Sequence, residues 1–421
     1  MANVFLQLML AVFLVGGVVS YAGAQTAEEL KQSIATKTLE IQKLEKEIDQ
    51  YKNDLGKIAT LKLTLKNLIA SLELTRKKLD GEIKVTSTKV DNTDLKIRQL
   101  ESDIIYKEDQ IESLHAALIE TVRAVSERDS MSLPEIALSR DSFSGLWNDL
   151  ATMGQFNDIV QDNVVQIKTI KAELEGKQNQ REEEKKTLLG LKEELSDRKK
   201  IAEQTKKEKT VLLTQTSNQE STFTKILKQK IALKDAFEKE LSDYEQTLKF
   251  ILDPTSIPPR GTKVFSMPLD NIIITQKFGK TSSSGRLYAS GTHNGVDFGV
   301  PTGTRVKTVL GGTVMGSGDT DLACPGASYG KWVLVRHNNG LATLYAHLSL
   351  IKVSSGATIN TGDVIGYSGN TGYSTGPHLH LTTFAGSAVQ IESRPSKACG
   401  NRTYTMPVAA FNAYLDPMDY L

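Results

Sequence analysis

Two histidines one residue apart, His378 and His380, stand in the run STGPHLHLTTF at residues 374–384. The chain holds six histidines in 421 residues, so such a pair raises a question of chemistry. They could be two ligands of one metal, one ligand beside a catalytic base, or two packing residues. On a β-strand, alternation sends both imidazoles to one face, about 7 Å apart, and Leu379 to the other. Two more histidine motifs lie upstream. In HNGVD, His293 and Asp297 are four residues apart, so both can reach one ion from the same side of a helix or strand. In TLYAHLS, His347 follows an apolar and aromatic run. Imidazole and carboxylate together, with no cysteine in a metal-binding spacing, suit Zn2+ with one coordination position left open. The remaining two, His337 beside Asn339-Gly340 and His115 in a charged helical stretch, have no partner motif and read as structural or surface residues.

The elements that must position these residues differ sharply along the chain. After ILDPTSIPP, residues 251–259, whose prolines end any helix and start a linker at 252–262, short β-branched runs alternate with Gly, Ser, Thr and Asn turns. The runs are VKTVLGGTVMG, KWVLVRHNNGLATLYAHLS and ATINTGDVIGYSG, and Asn339-Gly340 between two of them is a hairpin signal. Residues 263–421 therefore read as an all-β domain, a sandwich or partly open barrel. Residues 26–251 read as helix. Apolar residues recur three and four apart, as at Ile34, Ile41, Leu44, Ile48, Leu55, Leu65, Ile69, Leu72 and Leu79, with Lys, Glu and Asp on the other faces. The seam continues in Val160, Val164, Ile167, Leu174, Leu188, Leu191, Leu195 and Ile201, and again in Phe237, Leu241, Tyr244, Leu248 and Ile251. Two such arms imply a long antiparallel coiled-coil hairpin, each arm on the order of 140 Å if continuous. The seam breaks at 130–156, where Ser132 and Glu135 look like a capped helix start and Phe143, Leu146, Trp147, Leu150 and Met153 mark one face of a further short helix.

Lys and Arg (51) nearly equal Asp and Glu (50), and the net charge of +1 offers no argument for nucleic acid or an acidic surface. The N-terminus, residues 1–24, is apolar from Val4 to Val19 apart from Gln7 and ends in Ala22-Gly23-Ala24, the pattern of a secretory signal peptide. No Lys or Arg precedes the apolar run, which leaves an uncleaved anchor helix as the alternative. Either way the remainder is expected outside the cytoplasm. There the two cysteines, Cys324 and Cys399, are most simply a disulfide, the alternative being two buried thiols.

From about Val264 to Phe384 the sequence resembles the lysostaphin/LytM family of zinc metallopeptidases, through HNGVD, TLYAHLS, GDVIGYSGNTG and STGPHLHL. The resemblance implies a β domain that cleaves peptides of bacterial peptidoglycan, with His293, Asp297 and His380 as zinc ligands and His347 and His378 as catalytic histidines beside them. His378 is then the general base, and His347 stabilises the oxyanion or protonates the leaving amine, with the two roles open to exchange. The inserted loop GSGDTDLACPGASYG and the tail from Ser387 onward depart from the family pattern. The whole layout, with SLPEIALSRDSFSGLWNDLATM between the arms, is similar to EnvC-like murein hydrolases and activators. That likeness implies cell separation, docking of the coiled coil on an FtsEX-like membrane complex, and restraint of the catalytic site until a partner binds. It also keeps open a non-enzymatic role, in which the β domain switches on a cell-wall amidase.

Overall fold

The computed structural model describes residues 27–59, 64–128, 143–248, 250, 253–280, 292–374 and 376–421. The expected signal peptide and the Ser132 cap lie outside them, and among the described residues no helix is long and apolar enough to cross a membrane. The helical half holds α1 (Ala27–Ala59), α2 (Leu65–Arg128), α3 (Phe143–Thr216) and α4 (Glu220–Thr247). The chain divides into one unit of residues 1–41 and 88–191 and a second of 42–87 and 192–421.

In the first unit α2 and α3 pair antiparallel. Lys96 meets Glu184 at 3.5 Å and Asp103 meets Lys177 at 2.6 Å, while Lys107 meets Glu173 farther along, so one number falls as the other rises. Ile97 and Ile104 are buried in this unit, as the heptad spacing requires. Two expectations for the helical half fail. The first arm is not one helix, because α1 ends at Ala59 and α2 starts anew at Leu65. Thr64 caps that start through the Asn67 amide at 3.2 Å, and the Glu220 carboxylate accepts from the Leu65 amide at 3.0 Å. The segment from Phe143 is not a separate short helix but the beginning of the 74-residue α3, about 110 Å long. A spacing of three and four is the same on both sides of a reversal, so it conceals where one helix ends.

In the second unit, α3 ends where Ser217 and Asn218 both enter the left-handed region, at φ 49° and 55°. The strands that follow are β1 (Ile274–Gln276), β2 (Val296–Gly299), β3 (Arg305–Lys307), β4 (Gly312–Asp319), β5 (Lys331–His337), β6 (Leu341–Ile351), β7 (Thr358–Ile359), β8 (Val364–Ser368), β9 (His378–Ala385), β10 (Gln390–Ser396), β11 (Arg402–Val408) and β12 (Tyr414–Leu415). Ten form an open sheet of order β1-β2-β9-β6-β5-β4-β7, with β12 on β9 and β8 joining β3 to β6, while β10 and β11 make a separate hairpin. Every pairing among the described strands is antiparallel. The Asn339-Gly340 turn joins β5 to β6, with Gly340 at φ 84°, a conformation that favours glycine.

Leu341 to Ser349 of β6 are all buried because both faces of the sheet are covered. On one face Tyr345 packs with Val296, Phe298, Leu379 and Leu381. On the other, Leu344 and Ala346 pack with Trp332, Phe384 and Met406, and this core is closed by α4. Phe237 is 1% exposed and stacks edge-on against Tyr404 at 4.9 Å, with Leu241 and Tyr244 beside it. The continuation of the coiled-coil seam through Phe237, Leu241 and Tyr244 is thus corrected: Phe237 is buried in the β-domain core, and Leu241 and Tyr244 pack against it, partly buried. Ile251 lies outside the described residues.

Cys324 in the inserted loop and Cys399 after β10 are disulfide-bonded, their Cα atoms 5.4 Å apart. The two segments that depart from the family pattern are therefore joined to each other, and together they receive α4. Glu240 accepts hydrogen bonds from Ser396 Oγ at 2.9 Å and from the amides of Lys397 and Ala398 at 3.1 and 3.2 Å. Elsewhere in this unit, Lys78, 1% exposed, donates to the Thr302 carbonyl at 2.8 Å, and Leu79 and Ile201 pack on Tyr367.

Candidate metal centre and its cleft

Strand register brings the histidine motifs together. On paired β2 and β9, Asp297 sits opposite His380 and Gly299 opposite His378. His293, just before β2, forms a bridge with Gly279. Its Nδ1 donates to the Lys277 carbonyl at 3.0 Å, which leaves the Nε2 lone pair pointing inward. There Nε2 lies 3.1 Å from His380 Nδ1 and 3.3 Å from Asp297 Oδ1, and the last two atoms are 2.8 Å apart. His380 is oriented from its far side, where Nε2 meets Thr382 Oγ1 at 2.8 Å. A tetrahedral zinc with ligands at about 2.0–2.1 Å holds its donors about 3.3–3.4 Å apart, close to these separations. The set of two imidazoles and one carboxylate, buried and converging on one point, therefore fits a metal ion. Gly295 makes the approach possible, since a Cβ there would stand 2.4 Å from the Leu381 carbonyl and 2.8 Å from the His380 ring.

His347 and His378 stand to one side, their ring centroids 4.5 Å apart. His347 Nδ1 donates to the Thr371 carbonyl at 2.8 Å and His378 Nδ1 to the Gly376 carbonyl at 2.8 Å, so both keep Nε2 for the cleft. His347 lies within β6 and not at its end, and its backbone is left-handed at φ 59°, a strained state for a residue with a side chain. Burial, reinforced by His378 and His380, holds its pKa well below the usual histidine range. Burial also lowers the pKa of His380. For Asp297 burial pushes upward, but hydrogen bonds with His293 and His380 outweigh it and hold the carboxyl well below the ordinary range. All five residues expected from the sequence are thus brought to one place. His337 is not among them; it is buried elsewhere, bonded to the Gly311 carbonyl and Thr343.

A cavity of about 240 Å³ opens onto the centre. One wall is α4, which contributes Glu238, Leu241 and Glu245, and Tyr329, Tyr373 and Tyr414 face it. Glu245 is 7% exposed, and burial pushes its carboxyl up to about 7 although Tyr414 Oη donates to it at 2.5 Å. Asn294, beside His293, donates to Tyr329 Oη at 2.9 Å. Sequence reasoning missed this group. Asn294 lay inside a quoted motif, but nothing in helical periodicity marks Glu245, and Tyr329 and Tyr414 belong to the departing segments.

Residues 291–391 match the sequence profile of peptidase family M23. The β domain carries an M23 peptidase domain. The DD-carboxypeptidase/endopeptidase Mpg of Neisseria meningitidis serogroup B is 43% identical over 88 residues, which are 21% of this chain and 19% of that protein. The peptidoglycan DD-endopeptidase ShyA of Vibrio cholerae serotype O1 is 44% identical over 88 residues, with the same shares of 21% and 19%. The chain thus spans about a fifth of the length of the curated relatives it matches, 19% in both cases. Among solved structures, the catalytic domain of lysostaphin from Staphylococcus simulans aligns with 35% of this chain and 91% of its own at 28% identity, with a TM-score of 0.26.

Proposed function

We propose that the M23 domain is a zinc-dependent endopeptidase that cleaves peptide cross-links of bacterial peptidoglycan outside the cytoplasm during cell separation, restrained by the helical part of its own chain. The convergence of His293 Nε2, Asp297 Oδ1 and His380 Nδ1 beside two further imidazoles carries the reading, and the names of the relatives above supply the substrate class. The three converging atoms would hold the ion. Bound zinc supplies Lewis acidity, polarising a carbonyl and acidifying water. His378, with its side chain 14% exposed, takes a proton from the attacking water at Nε2 and exchanges it through the cleft. His347, more deeply placed, faces the developing oxyanion and the leaving amine. Thr371 and Gly376 keep both rings in the tautomer that leaves Nε2 free.

Restraint is supported by α4, whose side chains leave about 240 Å³ at the centre, room for a small fragment of a peptide. Withdrawal of α4 is assigned to a partner such as an FtsEX-like membrane complex that docks on the coiled coil. Calorimetry of the full chain with the complex's extracytoplasmic loop tests this, and absence of binding rejects it. The α4 cover also favours a second reading, a non-enzymatic activator of a cell-wall amidase. Digestion of purified peptidoglycan with and without a chelator, followed by mass analysis of released fragments, separates the two. Chelator-sensitive release of peptide-cleaved fragments supports the peptidase, and none from a chain with α4 displaced leaves the activator.

A further inference from the structure

Glu245 is a carboxyl set among aromatic rings at a position where an apolar side chain would dock the helix at lower cost. Among the described residues no basic group pairs with it. Its partners are the Tyr414 hydroxyl and the Ala409 amide. Asn294 Nδ2 donates to Tyr329 Oη at 2.9 Å, Tyr414 Oη donates to Glu245, and the Tyr329 and Tyr414 hydroxyls act on each other's acidity. Every member of this group except the acceptor belongs to the β domain. Tyr414 is fixed by pairing of β12 with β9 and by its ring against Phe384 at 4.8 Å. Asn294, Tyr329 and Tyr414 line the same cavity as His378 and His380.

We propose that Tyr414 and the Ala409 amide, backed by Tyr329 and Asn294, form a carboxylate subsite of the catalytic cleft, filled here by Glu245 and vacated to a free carboxylate of the peptide substrate when α4 withdraws. The inference rests on the peptidase reading and on withdrawal of α4. It makes Tyr414 a specificity-determining residue, selecting peptides with an unblocked carboxylate near the scissile bond. Burial of Glu245 where α4 packs on the β domain is what pushes its carboxyl up, whereas both donors act in the opposite direction. Removing the helix removes the burial and leaves the donors.

The test uses the zinc-loaded full chain with α4 displaced by Phe237→Asp or, where that variant does not fold, by Glu240→Arg. Two cross-linked peptides are compared, one with free carboxylates and one with the same groups amidated. The opened chain should cleave the free acid with kcat/KM roughly 10- to 100-fold above the amide, the range for a hydrogen bond to a charged group. Adding Tyr414→Phe should collapse that ratio toward one, mainly through KM. An opened chain that cuts both peptides equally, or a ratio that survives Tyr414→Phe, overturns the subsite. If neither peptide is cut, the peptidase reading fails, and calorimetry of the two peptides decides the subsite separately. Binding of the free acid that weakens with Tyr414→Phe upholds it, and equal binding of acid and amide removes it.

Discussion

At the scale of single residues, the metal site is held by what surrounds each ligand. Thr382 orients His380 from its far nitrogen at 2.8 Å, and loss of such a partner commonly costs 10- to 100-fold in metal affinity. Thr382→Val should therefore weaken zinc binding by about that factor while the domain stays folded, as read by competition with a chromogenic chelator. His380→Ala should lose both zinc and activity. His347→Ala and His378→Ala should lose activity by roughly 100-fold or more and keep zinc. Metal analysis of the purified variants checks this, and zinc loss from His347→Ala alone would refute its place outside the ligand set. The five candidate residues could be singled out because they stand in motifs that resemble a known family, while strand alternation alone showed only that His378 and His380 share a face. Thr382 and Gly295 were visible only as letters inside those motifs, since their roles depend on what lies across the sheet.

Among the elements, α4 forms one wall of the cleft. Phe237 sits in the β-domain core and Glu240 caps the turn beside Cys399. Phe237→Asp should raise the rate of peptidoglycan release at least tenfold over the parent chain, and an unchanged rate would exclude α4 as the restraint. The docking should also depend on pH through Glu245. Its carboxyl titrates at about 7 when covered and at an ordinary 4.5 when free. The raised value means that its contribution is fully present below about 4.5 and is lost as pH rises through 7, by about 3 kcal/mol in all. The groups facing it are the Tyr414 hydroxyl and the Ala409 amide, with Tyr329 behind Tyr414, and none of them titrates in that window. Hydrogen exchange of the α4 amides, corrected for intrinsic rates, should accelerate between pH 5 and pH 8 in the parent and much less in Glu245→Gln. Equal acceleration in both would assign the effect to another group.

For the whole molecule, the disulfide and the helical base hold the receptacle for α4 in place. Cys324 and Cys399, separated by 75 residues, join the inserted loop to the β10–β11 hairpin. Removing a bridge of this kind typically costs about 2–5 kcal/mol. The double variant Cys324→Ser with Cys399→Ser should lower the midpoint of thermal unfolding, and α4 should become more sensitive to limited proteolysis than α2. A midpoint equal to that of the parent would show that the bridge adds nothing to the cradle. In the same unit Lys352 pairs with Asp197 at 2.7 Å, so the base of the helices is tied to the β domain by charge as well as by Leu79 and Ile201, while Arg198 with Glu82 at 2.5 Å joins α3 to α2.

Sequence by itself determined the class of each half, because heptads and strand alternation are local patterns, and the family resemblance singled out the five histidine and aspartate positions that the fold brings together. The sequence also pointed to the cysteine pair through compartment and number. Tertiary structure alone decided what the apolar stripe of α4 buries against. Periodicity specifies that a face must leave water but not which surface receives it, so Phe237, Leu241 and Tyr244 read as coiled coil and proved to pack in or against the β-domain core. The same holds for Glu245 and Tyr414, 169 residues apart, whose meeting depends on the packing of α4 across the cleft and on no pattern in either segment.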